Sequence, residues 1–124
     1  YGGKNMVVIK KRSNVIPIDF GEFQLEYRSN DESIKRLNQI SKNIEQRGQQ
    51  LQELDDEAAL DALHAAVREG WVELFDKEAF EKVYAFSENT TVDAALYLVQ
   101  TINGIISEIN ARNSAETLSK YLEK

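Results

Sequence analysis

The chain has 124 residues, 42% of them hydrophobic and 29% charged, with one proline and no cysteine. Such a length and apolar share supply one core and exclude a second, and the composition fits neither a disordered tail nor a disulfide miniprotein. Without cysteine there is no thiol nucleophile, disulfide or Cys-ligated zinc, and 15 basic against 21 acidic side chains leave a net charge of −6.

Residues 1–5, Tyr-Gly-Gly-Lys-Asn, precede the only methionine, Met6, and read as an expression leader ahead of the natural start. From there to residue 28 the pattern is that of strands. Val7, Val8 and Ile9 form a β-branched run, and Val15, Ile16 and Ile18 follow a Ser13-Asn14 turn signal. Phe23, Leu25 and Tyr27 alternate with Gln24, Glu26 and Arg28, the period of a strand with one buried face. Asp19 and Gly21 between these runs predict a tight hairpin, and Pro17, which has no N–H for a ladder, places its strand at an edge. A sheet this small must lay its apolar face on helices.

Ser29-Asn30-Asp31-Glu32 reads as a capping box, with a helix running from there to Leu54. Its apolar stripe of Leu37, Ile40, Ile44, Leu51 and Leu54, with Ile34 beside it, is narrow and fits one packing partner. Gly48 is a weak point where such a helix can kink or break. Asp55-Asp56-Glu57 opens a second helix, since carboxylates stabilise the positive end of the helix dipole. Here Leu60, Leu63, Val67, Trp71, Leu74 and Phe75 share a broad face, as a core helix requires. Asp76 caps a short third helix with Phe80, Val83, Tyr84 and Phe86. The aromatic set from Trp71 to Phe86 follows helical spacing and is expected in the core, with an exposed partner site as the alternative.

Residues 90–93 offer a further capping box before the most apolar segment. Val92, Ala95, Leu96, Leu98, Val99, Ile102, Ile105, Ile106 and Ile109 cover about half the circumference of a helix, more than the ~100° stripe that one neighbour occupies. Such a helix is either central to the fold or binds something. Ser114 starts a possible tail helix carrying Leu118, Tyr121 and Leu122. The fold class expected is α+β: a small N-terminal antiparallel β-hairpin packed on a mainly α-helical body of about four helices. Its single domain covers 6–124, divided into a hairpin region at 6–28, a helical body at 29–111 and a tail helix at 114–124.

The charge is unevenly spread. Residues 55–90 hold three basic and ten acidic groups, −7, whereas residues 1–28 carry +2. An acidic body repels nucleic acid, whose binding rests on Lys and Arg displacing counterions. Lys10, Lys11 and Arg12 read as a solvated strand end. No apolar run approaches the roughly 18 residues of a membrane span, and the N-terminus lacks the apolar core of a signal peptide. Asn89-Thr90-Thr91 matches a glycosylation sequon, which matters only in a secretory compartment, and the missing cysteines favour the cytosol.

Catalytic patterns are equally sparse. Asp55, Asp56, Glu57 and Asp61 are the best metal candidates but lack the alternating spacing and turn glycine of an EF-hand loop, and helix capping accounts for them. His64 is the only histidine and sits at the edge of an apolar face, where a half-buried, hydrogen-bonded ring is expected. No G-x-S-x-G elbow or phosphate-cradling glycine loop occurs. The expectation is a non-enzyme without cofactor or metal, acting through its surfaces.

Three parts of the chain resemble a known family. Ile18-Asp19-Phe20-Gly21 with Phe23, Leu25 and Tyr27 is followed by the Lys/Glu/Gln-rich helix 31–54. Then comes the string from Gly70 and Trp71 through Phe75, Asp76, Lys77, Glu78, Ala79, Phe80 and Glu81 to Tyr84, and last the apolar helix 92–109. In this order they resemble the tail assembly chaperones of long-tailed phages and prophages of Gram-positive bacteria, over nearly the whole chain after Met6. Relatives often have a glycine where this chain has Asp76-Lys77, which leaves the shape of that junction open. The resemblance implies a protein of the bacterial host cytoplasm that binds the tape-measure protein, keeps it soluble until the tail tube forms, and in some relatives reaches the tube protein through a frameshifted extension. A homo-oligomer, formed through the apolar face of helix 92–109 and the strip Leu118, Tyr121 and Leu122, is a further expectation from the residues themselves. Leu98, Ile102, Ile105, Ile109, Leu118, Tyr121 and Leu122 are the expected partner-binding residues. Two other readings stand beside it: a structural or adaptor component that stays in a tail or other assembly, and a regulatory helical dimer, which would need a basic DNA-reading helix.

Overall fold

Two alternating apolar runs joined by a glycine turn form the hairpin. In the computed structural model, which describes residues 6–51, 55–114 and Leu122, β1 (Val15–Asp19) pairs antiparallel with β2 (Gln24–Arg28). Ile16 lies opposite Tyr27 and Ile18 opposite Leu25, so these four side chains share the inner face. Phe20 N–H donates to Phe23 O at 3.0 Å and Gly21 takes a φ of +85°, a two-residue turn that only glycine enters without strain. Ser29 N–H donates to Asn14 O at 2.8 Å at the open end. Bonded pairs alternate along an antiparallel ladder, so Pro17, opposite Glu26, falls in a non-bonded pair and its missing N–H costs no ladder bond.

Residues 7–9 do not form the expected strand. They carry no regular secondary structure and pair with no strand among the described residues, and Met6, Val7, Val8 and Ile9 are 64–86% exposed. Strand propensity alone does not make a strand, and the edge beside β1 is poorly equipped to recruit one. Pro17 offers no donor, and the carbonyl of Val15 is already taken by Arg112 Nη1 at 3.1 Å.

Four helices follow: α1 (Asp31–Leu51), α2 (Asp56–Leu74), α3 (Lys77–Phe86) and α4 (Thr91–Arg112). The start of α1 differs from the expected capping box. Asn30, not Ser29, is the cap, its Oδ1 accepting from Ser33 N at 2.9 Å, while the Ser29 hydroxyl donates to Asn14 O and fastens the hairpin. The helix runs through Gly48 to Leu51 without a break. Leu54 lies outside the described residues. Asp55 and Asp76 cap α2 and α3 as expected, accepting from Ala58 N at 2.9 Å and Ala79 N at 2.7 Å. At the junction between them Phe75 has φ −129° and Asp76 φ −168°, both negative, so neither takes the left-handed conformation that calls for glycine.

Between α3 and α4, Glu88 and Asn89 both take left-handed φ values, +53° and +57°. Glu88 N–H donates to Ala85 O and Asn89 N–H to Tyr84 O, the paired bonds of a Schellman stop, and Thr90 N–H donating to Ser87 O closes a type I′ turn over the same residues. Thr90 makes no side-chain cap bond, contrary to the expected box, because its hydroxyl turns back to Glu88 O at 3.4 Å.

The core joins the inner face of the hairpin to all four helices. α1 and α2 form an antiparallel pair, linked at the surface by Arg47 Nη1 and Glu69 Oε2 at 2.8 Å. Gly70 marks the closest approach: a β-carbon there would stand 2.7 Å from Leu98 Cδ2 and 3.6 Å from Ile44 Cδ1. The Trp71 ring is fully buried and donates Nε1–H to Ala94 O at 3.1 Å, which pins α2 to α4. Rings from distant segments complete the packing. Phe86 meets Phe20 and Phe23 edge-on at 5.3 and 5.9 Å, and Trp71 stacks on Phe75 at 5.9 Å, so these aromatics serve the core as their spacing predicts. Leu60, expected on the buried face of α2, is instead exposed.

Candidate functional site

The candidate partner helix is divided between inside and outside. α4 packs on α2 and α3 to one side and on β1 to the other, which is the central position its wide apolar face allows. That position puts Leu98, Ile102 and Ile105, three of the expected partner-binding residues, into the core, each no more than 5% exposed. They hold the fold together and present no surface. Ile109 is half-buried against the same core. Leu118 and Tyr121 lie outside the described residues, and Leu122 is exposed.

The apolar residues that α4 does present are Val92, Leu96 and Val99, 45–54% exposed. Their spacing of four and then three places them in one stripe along the outer side of the helix, the geometry by which helices dock on helices. The stripe ends where the next positions become polar, Asn103 and Ser107. By contrast the inward series Ala94, Leu98, Ile102, Ile105 and Ile109 continues along nearly the whole helix. The difference in length was the sequence signal that separates core from surface, and a count of apolar residues passes over it.

A second feature lies on the opposite flank. A groove of about 670 Å³ runs between β1 and α4, lined among others by Ile18, Phe20, Phe86 and Tyr97, with Asp19 and Glu108 at its rim. Its bed is open at Gly104, where an added β-carbon would meet nothing within 4 Å. Arg112 closes one end. Its Nε pairs with Glu108 Oε1 at 2.9 Å, its Nη1 donates to Ser13 O and Val15 O, and its own carbonyl accepts from Arg12 Nη2 at 2.8 Å. This cluster fastens the start of the hairpin to the last turn of α4, where a cation also complements the helix dipole.

The polar candidates occupy structural positions. Asp55 is engaged as a helix cap, and among the described residues no three His, Asp or Glu side chains converge on one point. His64 is half-buried, with Nδ1 3.3 Å from the Thr91 hydroxyl and its ring edge-on to Phe80 and Tyr84 at 5.8 and 5.1 Å. It ties α2 to the start of α4. The Tyr27 hydroxyl is buried without a hydrogen-bond partner, and burial raises its pKa above the ordinary value against the opposing pull of the Arg36 cation. Among the described residues no helix is long and apolar enough to cross a membrane. No family model, curated protein or solved structure matches the chain.

Proposed function

We propose that this chain is a non-enzymatic tail assembly chaperone that binds the tape-measure protein and keeps it soluble, using the outer stripe of α4. The observation that carries the reading is the exposure of Val92, Leu96 and Val99 on a helix whose inward residues Leu98, Ile102 and Ile105 are buried in the core. A stripe of three apolar side chains at helical spacing suits an amphipathic helix, and a tape-measure protein is a long helical chain rich in such segments. The resemblance of the hairpin, the aromatic junction and the apolar helix to that family supports the same partner.

Charge supports it as well. Of the ten carboxylates in residues 55–90, all but Glu69 are exposed, so the helices beside the stripe carry a strongly negative surface. A like-charged coat keeps a complex with an apolar partner from associating further. Co-expression with the tape-measure protein of the same phage tests the proposal. The soluble fraction of that protein rises when this chain is present, and an unchanged soluble fraction defeats the reading.

A further inference from the structure

The exposed stripe of Val92, Leu96 and Val99 does not end at the start of α4, because the first turns of α2 continue it. Leu60 is 51% exposed on α2. His64 stands one turn on from Leu60 along the same face and has its Nδ1 3.3 Å from the Thr91 hydroxyl, so Leu60 lies at the Val92 end of the stripe. Four apolar side chains from two helices are thus open to solvent, a surface of the kind that marks an interaction site.

The charges that border this surface have one sign. Asp93 follows Val92 and stands one turn before Leu96, while Asp56 and Glu57 stand one turn before Leu60. Asp56 and Glu57 are exposed and Asp93 is partly so. None of the three shares in the ion pairs Arg47–Glu69 and Arg112–Glu108. No Lys or Arg occurs on α2 before Arg68, or on α4 before Arg112, which Glu108 and the hairpin carbonyls hold at the far end of the helix. The neighbouring helices do not offset the charge. On α3 Lys77 and Lys82 are matched by Glu78 and Glu81, and in the later half of α1 Lys42 is matched by Glu45 and Arg47 by Glu69. Beyond Val99 the stripe gives way to Asn103 and Ser107, which are neutral.

We propose that the occupant of this surface is a basic amphipathic helix, with its apolar side chains along Leu60, Val92, Leu96 and Val99 and its Lys or Arg side chains against Asp56, Glu57 and Asp93. The inference rests on the reading that the α4 stripe receives a helix, and it adds which helix the stripe takes. An acidic amphipathic helix would cover the same apolar area but bring like charges together, and a neutral one would leave the carboxylates without a counter-charge. Along a helical partner chain the surface therefore selects segments whose polar flank is cationic. Exposed charge pairs are individually weak and are screened by salt, so the selection comes from three carboxylates acting together.

Two synthetic helical peptides test it, identical in a stripe of leucines at helical spacing and differing only in Lys against Glu on the flanks of that stripe. Fluorescence anisotropy with the full chain reads their affinities at low and high salt. The Lys peptide is expected to bind roughly tenfold or more tighter than the Glu peptide at low salt, and the difference narrows as salt rises. Leu96→Gln weakens its binding. D56N/E57Q/D93N removes most of the preference, whereas E22Q/E26Q/E32Q, which takes as many carboxylates from the hairpin and the start of α1, leaves it in place. Thermal melting verifies that every variant is folded. Equal affinity for the two peptides overturns the proposal, as does no binding by the Lys peptide, binding that Leu96→Gln leaves unchanged, or a preference that both triple variants reduce alike. Co-expression judges the chaperone reading separately. Tape-measure protein kept soluble by a chain that shows no preference between the peptides defeats this inference alone, and a clear preference without any gain in tape-measure solubility defeats only the chaperone reading.

Discussion

Leu98, Ile102 and Ile105 stand on one side of α4 and Val92, Leu96 and Val99 on another, and the two sets are alike in composition. The first set is buried where α4 packs on α2, α3 and β1, whereas the side chains of the second set stay about half exposed. The cause lies in what each side faces. On the inward side Gly70 lets α2 come within reach of Leu98 and Trp71 reaches the Ala94 carbonyl, so the helices are in contact. On the outward side the packing among the described residues leaves Val92, Leu96 and Val99 45–54% exposed. Hydrophobicity in one helix is thus divided between a covered side and an exposed one, and substitutions distinguish them.

The largest effect is expected inside. Leu98→Ala and Ile105→Ala each cost about 3 kcal/mol of stability in urea unfolding, the range for emptying a packed core site. Leu96→Ala and Val99→Ala change it by less than about 0.5 kcal/mol, as for surface positions. Equal losses on the two sides would erase the distinction. Next comes Gly70→Leu, which forces a side chain against Leu98 and costs roughly 2 kcal/mol by overpacking. Its counterpart is Gly48→Ala on the open side of α1, where nothing stands within 4 Å of the added methyl. That substitution raises stability by about 1 kcal/mol through helix propensity alone. A destabilised Gly48→Ala protein would mean that this face of α1 is covered.

The smallest effect concerns the hairpin side of the interior. Burial raises the pKa of Tyr27 in the folded protein, so its contribution to stability is present below the ordinary tyrosine value of about 10 and is lost as pH rises through the raised folded value. The pH dependence of stability of the wild type and of Tyr27→Phe therefore diverges only above that ordinary value. Phenylalanine also relieves the unpartnered hydroxyl, so the variant is at least as stable at neutral pH.

Much of this architecture was legible in the residues. Alternation in 23–28 predicts β2, Asp55 and Asp76 mark two helix starts, and the aromatic spacing from Trp71 to Phe86 places those rings in the core. The errors have physical causes. Val7, Val8 and Ile9 have strand propensity but no free ladder to join. Ser29 and Asn30 are both good caps, and hydrogen bonding of Ser29 to the hairpin, a tertiary contact, leaves the role to Asn30. Leu98, Ile102 and Ile105 were the expected partner residues because a wide apolar face does not reveal which half the fold will cover. The groove was hidden for the same reason, since it exists only where β1 and α4, some eighty residues apart in sequence, come together.

The central claim is that the outward side of α4 holds a helical partner. Titrating a soluble helical segment of the tape-measure protein into the wild type and into Leu96→Lys tests it most directly, with thermal melting to verify that both proteins remain folded. The account predicts binding by the wild type and a loss of roughly tenfold or more in affinity for Leu96→Lys, as for a central apolar contact replaced by a charge. Equal affinity for the two proteins, or no binding by either, would contradict it.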